Sequence, residues 1–99
     1  MGRIIMKTWN HPGGKLIELG PSSLRDEELL AILIGSGYKG KSAEDIAREL
    51  LDNYYSIAGL MGQKLTDIAK IKGLKDVKVV RIAAAFEIAR RVVKALEKE

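Results

Sequence analysis

The sequence predicts an all-α fold, a compact bundle of about five helices, and three observations predict it. Apolar residues recur at helical spacing in several segments, almost no stretch alternates with the period of a strand, and the connections are short and contain glycine. A chain of 99 residues, 46% hydrophobic and 30% charged, makes one small domain that can bury roughly two thirds of its unfolded surface. Cysteine is absent, so neither a disulfide nor a thiolate metal site can hold the fold, and apolar packing must do so.

Residues 1–15, "MGRIIMKTWNHPGGK", hold the sole His and Trp and a Pro-Gly-Gly break. They read as an arm docking through Ile4, Ile5 and Trp9, ahead of a single helical domain over 16–99. "LIELG" is a short helical turn ending at Gly20. Pro21, Ser22 and Ser23 form a helix start signal, and Asp26, Glu27 and Glu28 put negative charge in the first turn of a helix from about Leu24 to Ile34. Its run "LLAILI" has the composition of a strand, but the acidic start and the stop at Gly35 select a buried helix.

After "GSGYKGKS", Ser42 caps the next helix, with Asp45 as the acidic half of a capping box. Ala43, Ile46, Ala47, Leu50 and Leu51 follow at helical spacing to near Asn53. "YYSIAGLMGQ" is a turn or short helix packing Tyr54 or Tyr55 with Ile57 and Leu60, and "LTDIAKI", 65–71, is a short helix that Gly73 ends. From Val77 to about Leu96 runs the longest helix. Its apolar residues Ile82, Ala85, Phe86, Ile88, Ala89, Val92, Val93 and Leu96 cover about half the circumference, as in a helix central to a bundle.

Lys and Arg outnumber Asp and Glu by 17 to 13, giving a net charge of +4 and a pI near 9.4. That balance favours an acidic partner such as nucleic acid. The longest apolar run is far short of the roughly 20 residues that span a bilayer, and no secretory pattern opens the chain, which points to a cytoplasmic protein without membrane contact. His11 has no second ligand near it in sequence, so no metal or cofactor is expected. Asp26, Glu27 and Glu28 diverge by about 100° per residue and serve the helix dipole; Ser22, Ser23 and Ser42 are capping candidates with no neighbouring base. No catalytic constellation emerges, and the chain reads as a non-enzyme.

The stretch "IKGLKDVK", 71–78, is the main functional candidate. A glycine at the first position of a short interhelical connection lets the backbone turn sharply, and the amides opening the second helix then accept phosphate oxygens. Lys72, Lys75 and Lys78 surround that corner. Lys78 and Arg81 also fall toward the apolar sector of the last helix, where a packed core would not admit them, and positive charge at a helix start opposes the dipole. The candidate DNA-binding residues are therefore Lys72, Gly73, Leu74, Lys75, Lys78 and Arg81. "GSGYKGKS" lacks the spacing and the preceding strand of a nucleotide loop, and is a second, weaker candidate through Gly35, Gly37, Lys39 and Lys41.

"IKGLKDVKVVRIAAAFEIARR" resembles the helix-hairpin-helix pattern, in which a Gly-apolar-Gly turn precedes an Ala-rich helix. Together with "LIELGPSSLRDEELLAILIGSGYKGKSAEDIAREL", from about His11 onward, the chain resembles the amino-terminal domain of the RadC family of bacterial DNA-repair-associated proteins, also catalogued as UPF0758. The resemblance implies a module that binds the DNA backbone without reading sequence. Lys75 stands where the pattern has its second glycine, Asp76 where it often has proline or a small residue, and Arg25 where the family tends to have a capping serine. A non-glycine at 75 must take φ > 0 or the turn must adopt another conformation. The carboxy-terminal JAB/MPN metal domain usual in the family is not in this sequence, which is then a free-standing domain or a fragment. The alternative reading is a protein-interaction or dimerisation domain that has lost DNA binding, its contact surface formed by Val77, Val79 or the arm.

Overall fold

Helical periodicity becomes six α-helices in the structure, a computed structural model that describes residues 12–75 and 77–98. They are α1 (Pro12–Leu19), α2 (Asp26–Ile34), α3 (Ala43–Tyr54), α4 (Ile57–Met61), α5 (Leu65–Ile68) and α6 (Val77–Glu97), with a 3-10 turn over Pro21–Ser23. Among the described residues the sole β-type pairing is an isolated bridge between Tyr38 and Lys41. Ile4, Ile5, Trp9 and His11 of the expected arm, and Asp76, lie outside the described residues.

The centre of the fold is the α2–α3 pair, where Leu30, Ala31 and Ile34 meet Ile46, Ala47 and Leu50. Leu60, Ile68, Ile71 and Leu74 extend this core, and Val79, Ile82 and Phe86 of α6 close it. Each of the Leu, Ile, Val and Phe side chains contributes about 1.5–3 kcal/mol by leaving water. That "LLAILI" is helical follows from this geometry, since Leu30 and Ile34, four apart, share the buried face while Ile32 is exposed.

Helix starts divide into local and non-local cases. Ser42 acts as read from sequence: its Oγ accepts from the Asp45 amide (3.1 Å) and the Asp45 carboxylate accepts from the Ser42 amide (3.2 Å). Ser22 and Ser23 do not cap α2. Ser23 Oγ instead donates back to the Gly20 carbonyl (2.7 Å), and the chain passes through the 3-10 turn before α2 begins. Arg25 occupies the cap position with no side-chain acceptor to offer, and the carboxylate of Glu28 accepts from its amide at 2.8 Å. Ser56 caps α4 by accepting from Gly59 (2.9 Å).

Glu28 is the one buried charged residue among those described. Besides the Arg25 amide it meets Lys15 Nζ of α1 at 3.1 and 3.2 Å and Arg25 Nε at 3.5 Å. One carboxylate thereby starts α2 and fastens α1 to it. This changes the expected boundary: residues 12–15 belong to α1, Pro12 taking a first-turn position that suits its fixed φ, and not to an arm.

The aromatic pair after α3 splits. Tyr54 packs on the core, whereas Tyr55 ends α3 in the left-handed region (φ 69°) with its side chain 91% exposed. In α5, Ile68 is buried but Leu65 stays half exposed. The largest departure concerns α6. Its first half is built into the core, yet Ile88, Val92, Val93 and Leu96 are all more than half exposed, so its second half is not central to the bundle. Val93, seven residues beyond Phe86 and on the same side, remains exposed because the helix has outrun the helices it packs on.

Hydrogen bonding by the Arg25 amide, helped by the Lys15 and Arg25 side chains, holds the Glu28 carboxyl below its ordinary range against the opposing effect of burial. A lowered folded-state pKa means that the unfolded chain binds the proton more readily. The contribution is complete at neutral pH and is lost as pH falls through the carboxylate range. Glu28→Gln should lower stability at neutral pH and flatten the acid limb of a urea-unfolding profile. An acid limb as steep as the parent's would place the sensitivity at Asp45 and Glu87, whose carboxyls are also lowered. Tyr55→Gly, relieving an unfavourable φ, should raise stability by about 0.5–1 kcal/mol in the same measurement.

Candidate nucleic-acid interface

The turn between α5 and α6 begins where Ala69 and Lys70 tighten the end of α5 by bonding to the Leu65 and Asp67 carbonyls. Leu74 then donates to the Ile71 carbonyl (3.0 Å), closing a four-residue turn with Gly73 third and at φ +96°. A φ of that sign is strained for any residue with a side chain and open to glycine. Space enforces the same choice, because a Cβ on Gly73 would stand 2.7 Å from Ile46 Cδ1 and 3.1 Å from the Tyr38 ring. Leu74 is fully buried and anchors the turn instead of meeting a ligand. Lys75 does not take φ > 0; Tyr55 is the sole non-glycine that does among the described residues. The chain enters α6 without the second glycine of the pattern.

The two candidate sites of the sequence form a single surface. Tyr38 and Lys41 exchange backbone hydrogen bonds (2.9 and 2.8 Å), so Lys39 and Gly40 form the tip of a tight turn. Gly37 is required below it, since a Cβ there would lie 2.0 Å from the Lys41 carbonyl oxygen. Tyr38, half-buried against the core, lies beside Gly73, and Lys72 Nζ sits 4.6 Å from its ring centroid. This contact joins the 36–41 turn to the 71–75 turn and leaves Lys39, Lys72 and Lys75 exposed. Lys41, by contrast, is ion-paired with Glu49 across the first turns of α3, which raises its pKa and engages its charge within the chain.

Between the end of α2 and the start of α6 lies a cleft of about 500 Å³ lined by Ile34, Gly35, Ser36, Lys75, Val77, Lys78 and Arg81. Lys78 Nζ donates to the Ser36 carbonyl (2.8 Å), and Arg81 Nη1 to the carbonyls of Leu33 (3.2 Å) and Ile34 (3.5 Å). The last carbonyls of a helix have no partner within it and carry the negative end of its dipole. The cations that oppose the start of α6 are thus accounted for by the end of α2. They still face the cleft and, with three and five donors, retain some to offer a ligand. Val77 is exposed, but Val79 is 7% exposed and part of the core, so it forms no outer contact surface. Among the described residues no helix is long and apolar enough to cross a membrane, and no cluster of His, Cys, Asp or Glu could hold a metal.

Fold and site define an all-α domain with a basic interhelical surface. The chain belongs to the UPF0758 N-terminal family, whose profile matches residues 6–80; this is the family read from its motifs. It is 42% identical over 80 residues to a UPF0758 protein of Pseudoalteromonas atlantica, covering 81% of this chain and 36% of that one. Similar proteins are a UPF0758 protein of Staphylococcus epidermidis, 44% identical over 81 residues (82% and 36% covered), and one of Halorhodospira halophila, 40% over 89 residues (87% and 40%). The chain therefore spans between a third and two fifths of the length of these curated relatives. No solved structure matches it significantly.

Gly73→Val should destabilise the domain by about 2–4 kcal/mol in chemical unfolding, through backbone strain and displacement of Ile46 and Tyr38. Arg81→Ala should cost about 1 kcal/mol by leaving the α2 carbonyls to water. A parent-like midpoint for Gly73→Val would remove the packing account of the turn.

Proposed function

We propose that this domain is a non-enzymatic DNA-binding module that holds backbone phosphates without reading sequence, through a helix-hairpin-helix type of turn. The observation that carries this reading is the convergence of Lys39, Lys72 and Lys75 on one exposed surface beside the start of α6, with Lys78 and Arg81 on the rim of the adjoining cleft. Helix starts and lysines both favour phosphate oxygens, and neither distinguishes bases. A place in DNA repair rests on the family resemblance.

A few phosphate contacts give dissociation constants of about 1 µM or weaker at physiological salt, rising steeply with salt. Titrating a fluorescent duplex, and a branched or single-stranded DNA, at two salt concentrations should give saturable anisotropy changes that weaken as salt rises. Lys72→Ala and Lys75→Ala should lower affinity on all sequences alike and reduce the salt slope by about one contact each. An unchanged slope would count against these residues. Absence of binding even at low salt would favour the alternative, an interaction domain in which Lys78 and Arg81 serve only the carbonyls at and just past the end of α2.

A further inference from the structure

Holding a lysine on a phosphate means ordering a long, flexible side chain, and the lost rotamer freedom offsets much of what one exposed contact supplies. A partner that orders the ammonium beforehand removes part of that loss. Of Lys39, Lys72 and Lys75, the exposed lysines of the basic surface, Lys72 is the one with a side-chain partner among the described residues: its Nζ lies 4.6 Å from the centroid of the Tyr38 ring. That is within the roughly 6 Å at which the negative face of an aromatic ring attracts a cation.

The ring itself is fixed by its surroundings. The Tyr38 amide and carbonyl are bonded to Lys41 (2.9 and 2.8 Å), the side chain packs against the buried core, and its Cδ2–Cε2 edge lies 3.2 and 3.1 Å from the place that a Cβ at Gly73 would take. A neutral partner holds a cation without cancelling its charge. Lys41 shows the contrast, since the carboxylate that holds it, from Glu49, also neutralises it. Attraction to a π-face engages no single acceptor, so the three N–H donors of the Lys72 ammonium stay open to phosphate oxygens. An aliphatic side chain at 38 would cover the core as well and offer the ammonium nothing.

We propose that Tyr38 is a positioning residue for phosphate binding, its ring holding the Lys72 ammonium in place on the exposed surface before nucleic acid arrives. This inference rests on the phosphate-binding reading and adds to it a residue that touches no phosphate itself. Removing the ring lowers affinity by about two- to fivefold, the worth of an exposed cation–π contact. The salt slope stays as it is, because Lys72 keeps its charge and still displaces a counterion. Loss of Lys72 itself lowers the slope, so the two roles separate.

In NMR spectra of the free chain, ring current should move the Lys72 ε-methylene protons upfield of their random-coil position, again in Tyr38→Phe but not in Tyr38→Leu. In anisotropy titrations of a fluorescent duplex, Tyr38→Phe should bind like the parent and Tyr38→Leu about two- to fivefold more weakly, at the parent's salt slope. In a Lys72→Ala background, Tyr38→Leu should have no further effect. An unshifted methylene in the parent overturns the proposal without reference to DNA and without any variant. Parent-like binding by Tyr38→Leu overturns it too, as does an equal loss in the Lys72→Ala background, which would assign the effect to packing. A parent that binds no duplex at low salt while its methylene is shifted would overturn the phosphate-binding reading, and with it the role of the ring.

Discussion

The end of α2 is the constraint on which the rest of this domain depends. Its terminal carbonyls at Leu33 and Ile34 are met by Arg81, and the Ser36 carbonyl just past the helix by Lys78, both from the opening turns of α6 more than 40 residues away in sequence. Two unfavourable features cancel at that junction: carbonyls without helical partners, and cations beside the positive end of their own helix. The exchange fixes the direction in which α6 leaves the body. Val79, Ile82 and Phe86 then fall onto the core, and the chain between α5 and α6 must reach the start of α6 in few residues.

Gly73 answers that last demand, and the answer is partly steric. The turn could pass under Tyr38 only with no side chain at 73, since Ile46 and the Tyr38 ring occupy the space. Tyr38 is itself set by the 38–41 turn, which rests on Gly37. The basic surface is thus a by-product of packing two tight turns against each other. Lysines at their tips have nowhere to go but solvent, whereas Lys41, one residue past the tip, is within reach of Glu49 and is neutralised.

Features that depend on residues three or four apart were legible in the sequence. The Ser42–Asp45 box, the helical nature of "LLAILI", the glycine stop at Gly35 and the extent of α6 all follow from local spacing and appear in the structure. The start of α2 misled because its signal is reversed. A carboxylate at the third helical position can satisfy the cap amide whatever side chain stands at the cap, so Ser22 and Ser23 looked like the start although Glu28 makes it. The partner of Lys78 and Arg81 was not legible, because a cation at the wrong end of one helix does not say which other helix ends nearby. The position of Lys15, paired with Glu28, was hidden for the same reason. Both basic candidate sites were named, but their union through Tyr38 and Lys72 arises only when the chain is folded.

Apolar periodicity in α6 shows a further limit of a different kind. The pattern says that a face will be covered and not by what. Up to Phe86 the cover is the domain itself; beyond it α2 and α5 have ended and the same pattern continues for about two and a half turns. An apolar stripe of that length, with charge kept strictly to the other positions, costs solubility if it stays bare. The stem of α6 and its free end thus differ in what holds them: the stem is fixed by the carbonyls at the end of α2, whereas the end carries the apolar pattern past the helices on which the stem packs.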